Sequence, residues 1–155
     1  MNQTLFISLV KDFLQATEIA AAPADLDDLE SLSFDAGGLT CRVFPHASED
    51  RLFIEVTVGH LDFPDPARDL GRLLVLHSLN WSARFTSGVL ASLSPDNELV
   101  VSKVCDAAQL DGARLAAEMA LLLDCATHLQ SVWEELAAPP GEPAAPPPGA
   151  PGQFV

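Results

Sequence analysis

Residues 39–59, LTCRVFPHASEDRLFIEVTVG, decide the fold. Leu52, Ile54, Val56 and Val58 alternate with Arg51, Phe53, Glu55 and Thr57, the period of two expected of a strand with one buried face. Upstream, Leu39–Phe44 alternates in the same way, and the Pro45–Asp50 stretch between them has turn composition. These two runs are consecutive antiparallel strands. A third strand, Leu32–Asp35, joins the pair through Ala36-Gly37-Gly38, which suits a tight hairpin.

Outward from this meander the periodicity changes. Residues 3–20 place Leu5, Phe6, Leu9, Val10, Phe13, Leu14 and Thr17 on one stripe, with Ser8, Lys11, Asp12, Gln15 and Glu18 opposite, so an amphipathic helix precedes the strands. Pro23 terminates it, and an acidic connector with Asp25, Asp27, Asp28 and Glu30 follows. After the third strand, Asp65 and Pro66 read as the cap and first turn of a helix over about 66–80. Leu70, Leu73, Leu74 and His77 form one stripe of it, while Val75, Leu76 and Leu79 widen the apolar surface. Such a helix must be covered on two sides.

Two more strands, Ser87–Leu93 and Glu98–Cys105, are joined by the turn Ser94-Pro95-Asp96-Asn97. Asp111 then caps a long helix whose seam is Leu115, Met119, Leu122, Ala126, Leu129, Trp133 and Leu136. The order α-β-β-β-α-β-β-α is an α+β fold, a twisted antiparallel sheet covered by helices largely on one side. Its expected extent is residues 1–137. Beyond that, seven of the 12 prolines crowd into residues 138–155, a Pro-rich tail expected to be disordered and extended.

The chain has 155 residues, 48% of them hydrophobic, enough for one domain with a substantial core. Its 22 Asp and Glu against 8 Lys and Arg give a net charge of -14, which repels nucleic acid and anionic membrane surfaces. Three cysteines, Cys41, Cys105 and Cys125, form no CxxC pair and point to reduced thiols. The N-terminal MNQTLFISLVKDFL lacks a positively charged signal region, and no apolar run approaches a bilayer span, so a soluble cytoplasmic protein is expected.

Chemistry-bearing patterns are sparse. Cys125 and His128, one helical turn apart near Asp124, fall short of the three or four convergent ligands a zinc site needs, so neither metal nor cofactor is expected. The sequence carries no nucleophile elbow, phosphate-cradling Gly-rich loop or HExxH, and so no catalytic residue is assigned. What stands out is surface. Phe44 and Phe53 alternate opposite the core residues of their strands and flank one hairpin, so they are neighbours on the outer sheet face, positioned for an extended peptide.

Together the helix LFISLVKDFL, the strand RLFIEVTVG, the helix LGRLLVLHSLNW, the hairpin SGVLASLSPDNELVVSK and the closing CATHLQSVWEEL resemble the class I type III secretion chaperones of the Tir chaperone (CesT-like) family. These are small acidic cytosolic proteins of Gram-negative bacteria. The resemblance covers residues 3–136; the Pro-rich tail departs from it. It implies a homodimer built through the second helix and the strand after it, with Leu73, Leu76, Leu79, Trp81 and Val89 at the interface. It further implies a protein that is not an enzyme, binding the N-terminal segment of a secreted effector in extended form. The contacts it implies are Phe6 and Val10 on the first helix and Leu32, Phe34, Phe44 and Phe53 on the sheet, with burial in the core as the alternative role of Leu32 and Phe34. A regulatory adaptor of the same fold, sequestering a regulator or another chaperone, is the alternative, and a small-molecule enzyme with an unrecognised site is the second.

Overall fold

A computed structural model describes residues 1–17, 19, 29–60, 66–83 and 88–137. The Pro-rich tail, most of the acidic connector, Asp65, Ser87 and the side chains of Leu79 and Leu136 fall outside the described residues.

The elements follow the expected order: α1 (Gln3–Thr17), β1 (Leu32–Ala36), β2 (Leu39–Pro45), β3 (Arg51–His60), α2 (Pro66–Ala83), β4 (Val89–Leu93), β5 (Glu98–Asp106) and α3 (Gly112–Ala137). A short 3-10 turn, Ala107–Gln109, enters between β5 and α3, capped by the Asp106 carboxylate accepting from the Ala108 N–H. The sequence pattern did not announce this turn. Its three residues span too short a stretch to show any period.

The five strands form one antiparallel sheet in the order β1-β2-β3-β5-β4. The β1–β2 hairpin turns on Gly37 and Gly38 with φ of 60° and 82°. Two successive positive φ values define the turn whose twist suits a two-residue hairpin, and glycine adopts them without strain. After β3 the chain crosses over through α2 to the far edge, and β5 then returns between β4 and β3. A bulge at Val58, between Thr57 and Gly59, lets the longest strand bend while Val56 and Val58 both stay buried.

The inner face carries the core. Leu32, Phe34, Cys41, Val43, Leu52, Ile54, Val56, Leu99 and Val101 meet Phe6, Leu9, Val10 and Phe13 of α1 and Leu115, Met119, Leu122, Ala126, Leu129 and Trp133 of α3. The seven-residue spacing read from α3 is thus its buried seam, and Asp111 caps the helix by accepting from the Arg114 N–H at 2.7 Å. On α1 the buried stripe is narrower than the sequence suggests. Leu5 is 50% exposed, and the helix ends at Thr17, whose hydroxyl donates back to the Phe13 carbonyl.

α2 flanks β4 and α3. Leu76 enters the core, and beside it the Arg72 guanidinium lies over the Trp133 ring at 4.8 Å and pairs with Asp69 at 3.5 Å. Lys103 on the inner face pairs with Glu118, tying β5 to α3. Burying charges is costly unless they are matched; Asp69 neutralises Arg72 within α2, and the Arg72–Trp133 and Lys103–Glu118 contacts are the ones that join separate elements.

Candidate functional site: the outer sheet face

No helix among the described residues packs on the outer face of the sheet, and the register sorts its side chains into rows that cross the strands. The first row is Phe44, Phe53 and Val104, on β2, β3 and β5. The second is Ser33, Arg42, Glu55, Ser102 and Leu90. The third, Asp35, Thr40, Thr57, Val100 and Ser92, is mostly hydroxyl and acid, and within it Thr40 donates to Asp35 at 3.1 Å.

The first row is an aromatic platform. The Phe44 and Phe53 rings stack with centroids 5.3 Å apart and planes 6° from parallel, and His46 stacks on Phe53 at 5.6 Å. Both phenylalanines are only half-buried, and Val104 beside them is exposed. The imidazole is oriented from below: its Nδ1 accepts the backbone N–H groups of Ser48 and Glu49, which folds the β2–β3 loop around it. At the other end the Arg42 guanidinium lies 5.6 Å from the Phe44 ring centre, within cation–π range. Glu55, next along β3, is half-buried, and burial raises its pKa while the Arg42 charge lowers it in part.

The structure confines the residues named from the sequence to fewer places. Phe44 and Phe53 stand together where the alternation put them. Phe6 and Val10 do not reach the surface; both are fully buried between α1 and the sheet. Leu32 and Phe34 point to the inner face, Phe34 against Phe13 with ring centres 5.7 Å apart, and they too belong to the core. A side chain that already fills the core cannot also anchor a partner without opening the fold. Arg42, His46, Glu55 and Val104 were missed. Parity along β2 and β3 already puts Arg42 and Glu55 on the same face as the phenylalanines, whereas Val104 joins them only because β5 is the neighbour of β3.

A second uncovered surface runs along α2. Leu70, Leu74 and Trp81 are 58%, 58% and 60% exposed, with Leu73 beside them, so this single helix holds four of the eight exposed large hydrophobic side chains among the described residues. Of the expected interface residues, Leu73 and Trp81 lie on that stripe. Leu76 and Val89 are instead buried within the chain, because the inner face of α2 closes over β4. Leu70 and Leu74, not Leu76 and Val89, accompany Leu73 and Trp81 on the exposed side of α2.

A cavity of about 180 Å³ opens between β5 and the start of α3, where Lys103 and Glu118 are already paired and burial raises the Cys105 thiol, keeping it protonated. Among the described residues no three His, Cys, Asp or Glu side chains gather as metal ligands, and no helix is long and apolar enough to cross a membrane.

Comparison with known proteins gives the same outline. No curated protein sequence is matched significantly. Among solved structures, the HopA1–SchA chaperone–effector complex superposes with a TM-score of 0.67 at 14% identity, over 83% of this chain and 95% of the other. The ExsC–ExsE complex gives 0.64 at 20% identity, over 84% and 93%. The Yersinia pestis type III secretion chaperone SycH, in complex with a fragment of YscM2, gives 0.61 at 15% identity, over 80% and 98%. At such identities the likeness is one of fold, but the family model for the Tir chaperone protein (CesT) family matches residues 8–130, most of the helices and the whole sheet, and the chain belongs to that family.

Proposed function

We propose that this protein is a type III secretion chaperone, which binds the N-terminal segment of a secreted effector in extended form and keeps it soluble and ready for export. The observation that carries this reading is the Phe44–Phe53 stack, a half-buried aromatic platform on a sheet face that no helix among the described residues covers. Apolar side chains of an incoming segment gain by burial there, each fully buried one contributing roughly 1.5–3 kcal/mol. Family membership and solved neighbours whose names describe chaperone–effector complexes support the same reading. The protein acts by binding and not by catalysis, in the cytoplasm of a Gram-negative bacterium.

The working unit is a homodimer joined through the Leu70–Leu74–Trp81 stripe of α2. An isologous pairing of that stripe about a twofold axis would cover four of the eight exposed large hydrophobic side chains among the described residues. It would leave the outer sheet face of each copy open to the client.

Affinity purification from the native host tests the function. The captured protein should be a secreted one, and deleting its N-terminal segment should abolish capture. Phe44→Asp and Phe53→Asp should weaken capture while leaving the far-UV circular dichroism unchanged. Capture that survives both substitutions, or that ignores the client's N-terminal segment, overturns the reading.

A further inference from the structure

Glu55 is out of keeping with its surroundings. It sits half-buried on the outer face, one register step from the Phe44–Phe53 row, and makes no hydrogen bond or ion pair with any described residue. The nearest cation is Arg42, its direct cross-strand neighbour, but that guanidinium is turned along β2 onto the Phe44 ring. Across the other strand boundary stands Ser102, also half-buried.

A client segment that runs parallel to β3 and crosses the aromatic row passes over Glu55 as well. Rows on one face are two residues apart along a strand, roughly 7 Å, which is also the spacing of successive same-side side chains in an extended client. Covering a carboxylate that is already partly stripped of water is costly unless the covering chain brings a donor. Burial has already pushed the Glu55 pKa upward, with the Arg42 charge offsetting this only in part, so the carboxylate is partly desolvated before any client arrives. The chain's net charge of -14 adds a long-range field that favours a cation over a neutral donor.

We propose that the client segment carries a Lys or Arg two residues from the apolar side chain that it lays on the Phe44–Phe53 stack, and that Glu55 receives this cation. The inference rests on the outer face being the client-binding surface and adds the chemistry by which the face selects. Segments equal in hydrophobicity but lacking the cation would be rejected because they bury an unpaired charge. Selectivity by an uncompensated group discriminates more sharply than greasy contact can.

Phage-displayed random 12-residue peptides, selected on the full chain, provide the probe. On the wild-type protein the enriched peptides should share an aromatic or large aliphatic residue with Lys or Arg two positions away. On Glu55→Gln the apolar residue should persist and the cation fall to library frequency. A synthetic wild-type-selected peptide should lose at least about tenfold in affinity when its cation is replaced by Ala, and almost nothing from the same change on Glu55→Gln. Glu55 lies on the uncovered face, so circular dichroism and melting of that variant should match wild type. Cations absent from the enriched set, or enriched equally on both proteins, would overturn the proposal while leaving the chaperone reading intact. Selection of the same peptides by Phe44→Asp, or of none by any protein, would overturn both.

Discussion

The Asn80 side chain grips both main-chain groups of Ala91, donating from Nδ2 to its carbonyl and accepting its N–H at Oδ1, each at 2.7 Å. Ala91 is the central residue of β4, and β4 is an edge strand. A side-chain amide from α2 therefore takes the place of a neighbouring strand at the point where another chain would pair. Edge strands left open invite such pairing. The sheet is thereby asymmetric: β4 is blocked at its centre, whereas β1, at the other edge, pairs along one side only with β2.

Asn80→Ala should consequently do two things. Loss of two hydrogen bonds to a part-buried strand should cost about 1–3 kcal/mol, read as a lower urea midpoint. The uncovered edge should also promote self-association, visible by light scattering as a mass above that of the wild type. Asn80→Asp, which keeps the acceptor but loses the donor, should fall between the two. An unchanged midpoint would show that the clamp contributes nothing.

On α2 the exposed and buried leucines separate assembly from folding. Leu74→Glu changes a side chain 58% exposed, so each protomer should stay folded while light scattering reports a monomer. Leu76→Glu places a charge at a site only 5% exposed and should unfold the protomer outright. A Leu74→Glu protein that keeps its dimeric mass would remove the α2 stripe as the interface.

Much of this architecture was legible because it depends on periods. The alternation of Leu52, Ile54, Val56 and Val58, the seam from Leu115 to Trp133 and the Gly37-Gly38 turn each fix a local geometry by residue type alone. Burial between elements was less legible. Phe6 and Val10 look as available as Leu5 on a helical projection, yet only Leu5 is exposed, because the packing of α1 against α3 decides which side of the stripe is covered. Leu76 and Leu74 exchange roles for the same reason. The site was half-legible: parity gives Phe44 with Phe53, but the β3–β5 pairing that adds Val104 follows from a crossover that no local pattern encodes.

Gly112 shows a constraint of that non-local kind. It opens α3, and a Cβ built there would run into the Asp12 carbonyl carbon and fall 2.6 Å from its oxygen. The obstacle is the backbone of α1, which cannot rotate aside. Gly112→Ala, ordinarily favourable in a helix, should here be destabilising by roughly 1–3 kcal/mol through forced separation of α1 from α3. Thermal melting with Ala113→Gly as a control for helix propensity checks this; a Gly112→Ala protein as stable as wild type would mean that the helices shift freely.

The thiols give a prediction with a defined direction in pH. Burial, with a smaller push from Asp35, raises the Cys41 thiol from its ordinary 9.0 to about 11, and burial also raises Cys105. Cys125 is only half-buried. At pH 8, Ellman's reagent should therefore modify Cys125 in the native protein and reach Cys41 and Cys105 only on unfolding. Between pH 9 and 11 the unfolded chain ionises Cys41 while the folded chain keeps its proton, so the unfolded state gains and stability falls as pH rises, by about 2 kcal/mol. Cys41→Ala should flatten that fall in urea melts taken across the same pH interval, at the cost of a small cavity in the core. An equally steep fall in Cys41→Ala would assign the alkaline loss of stability to another group.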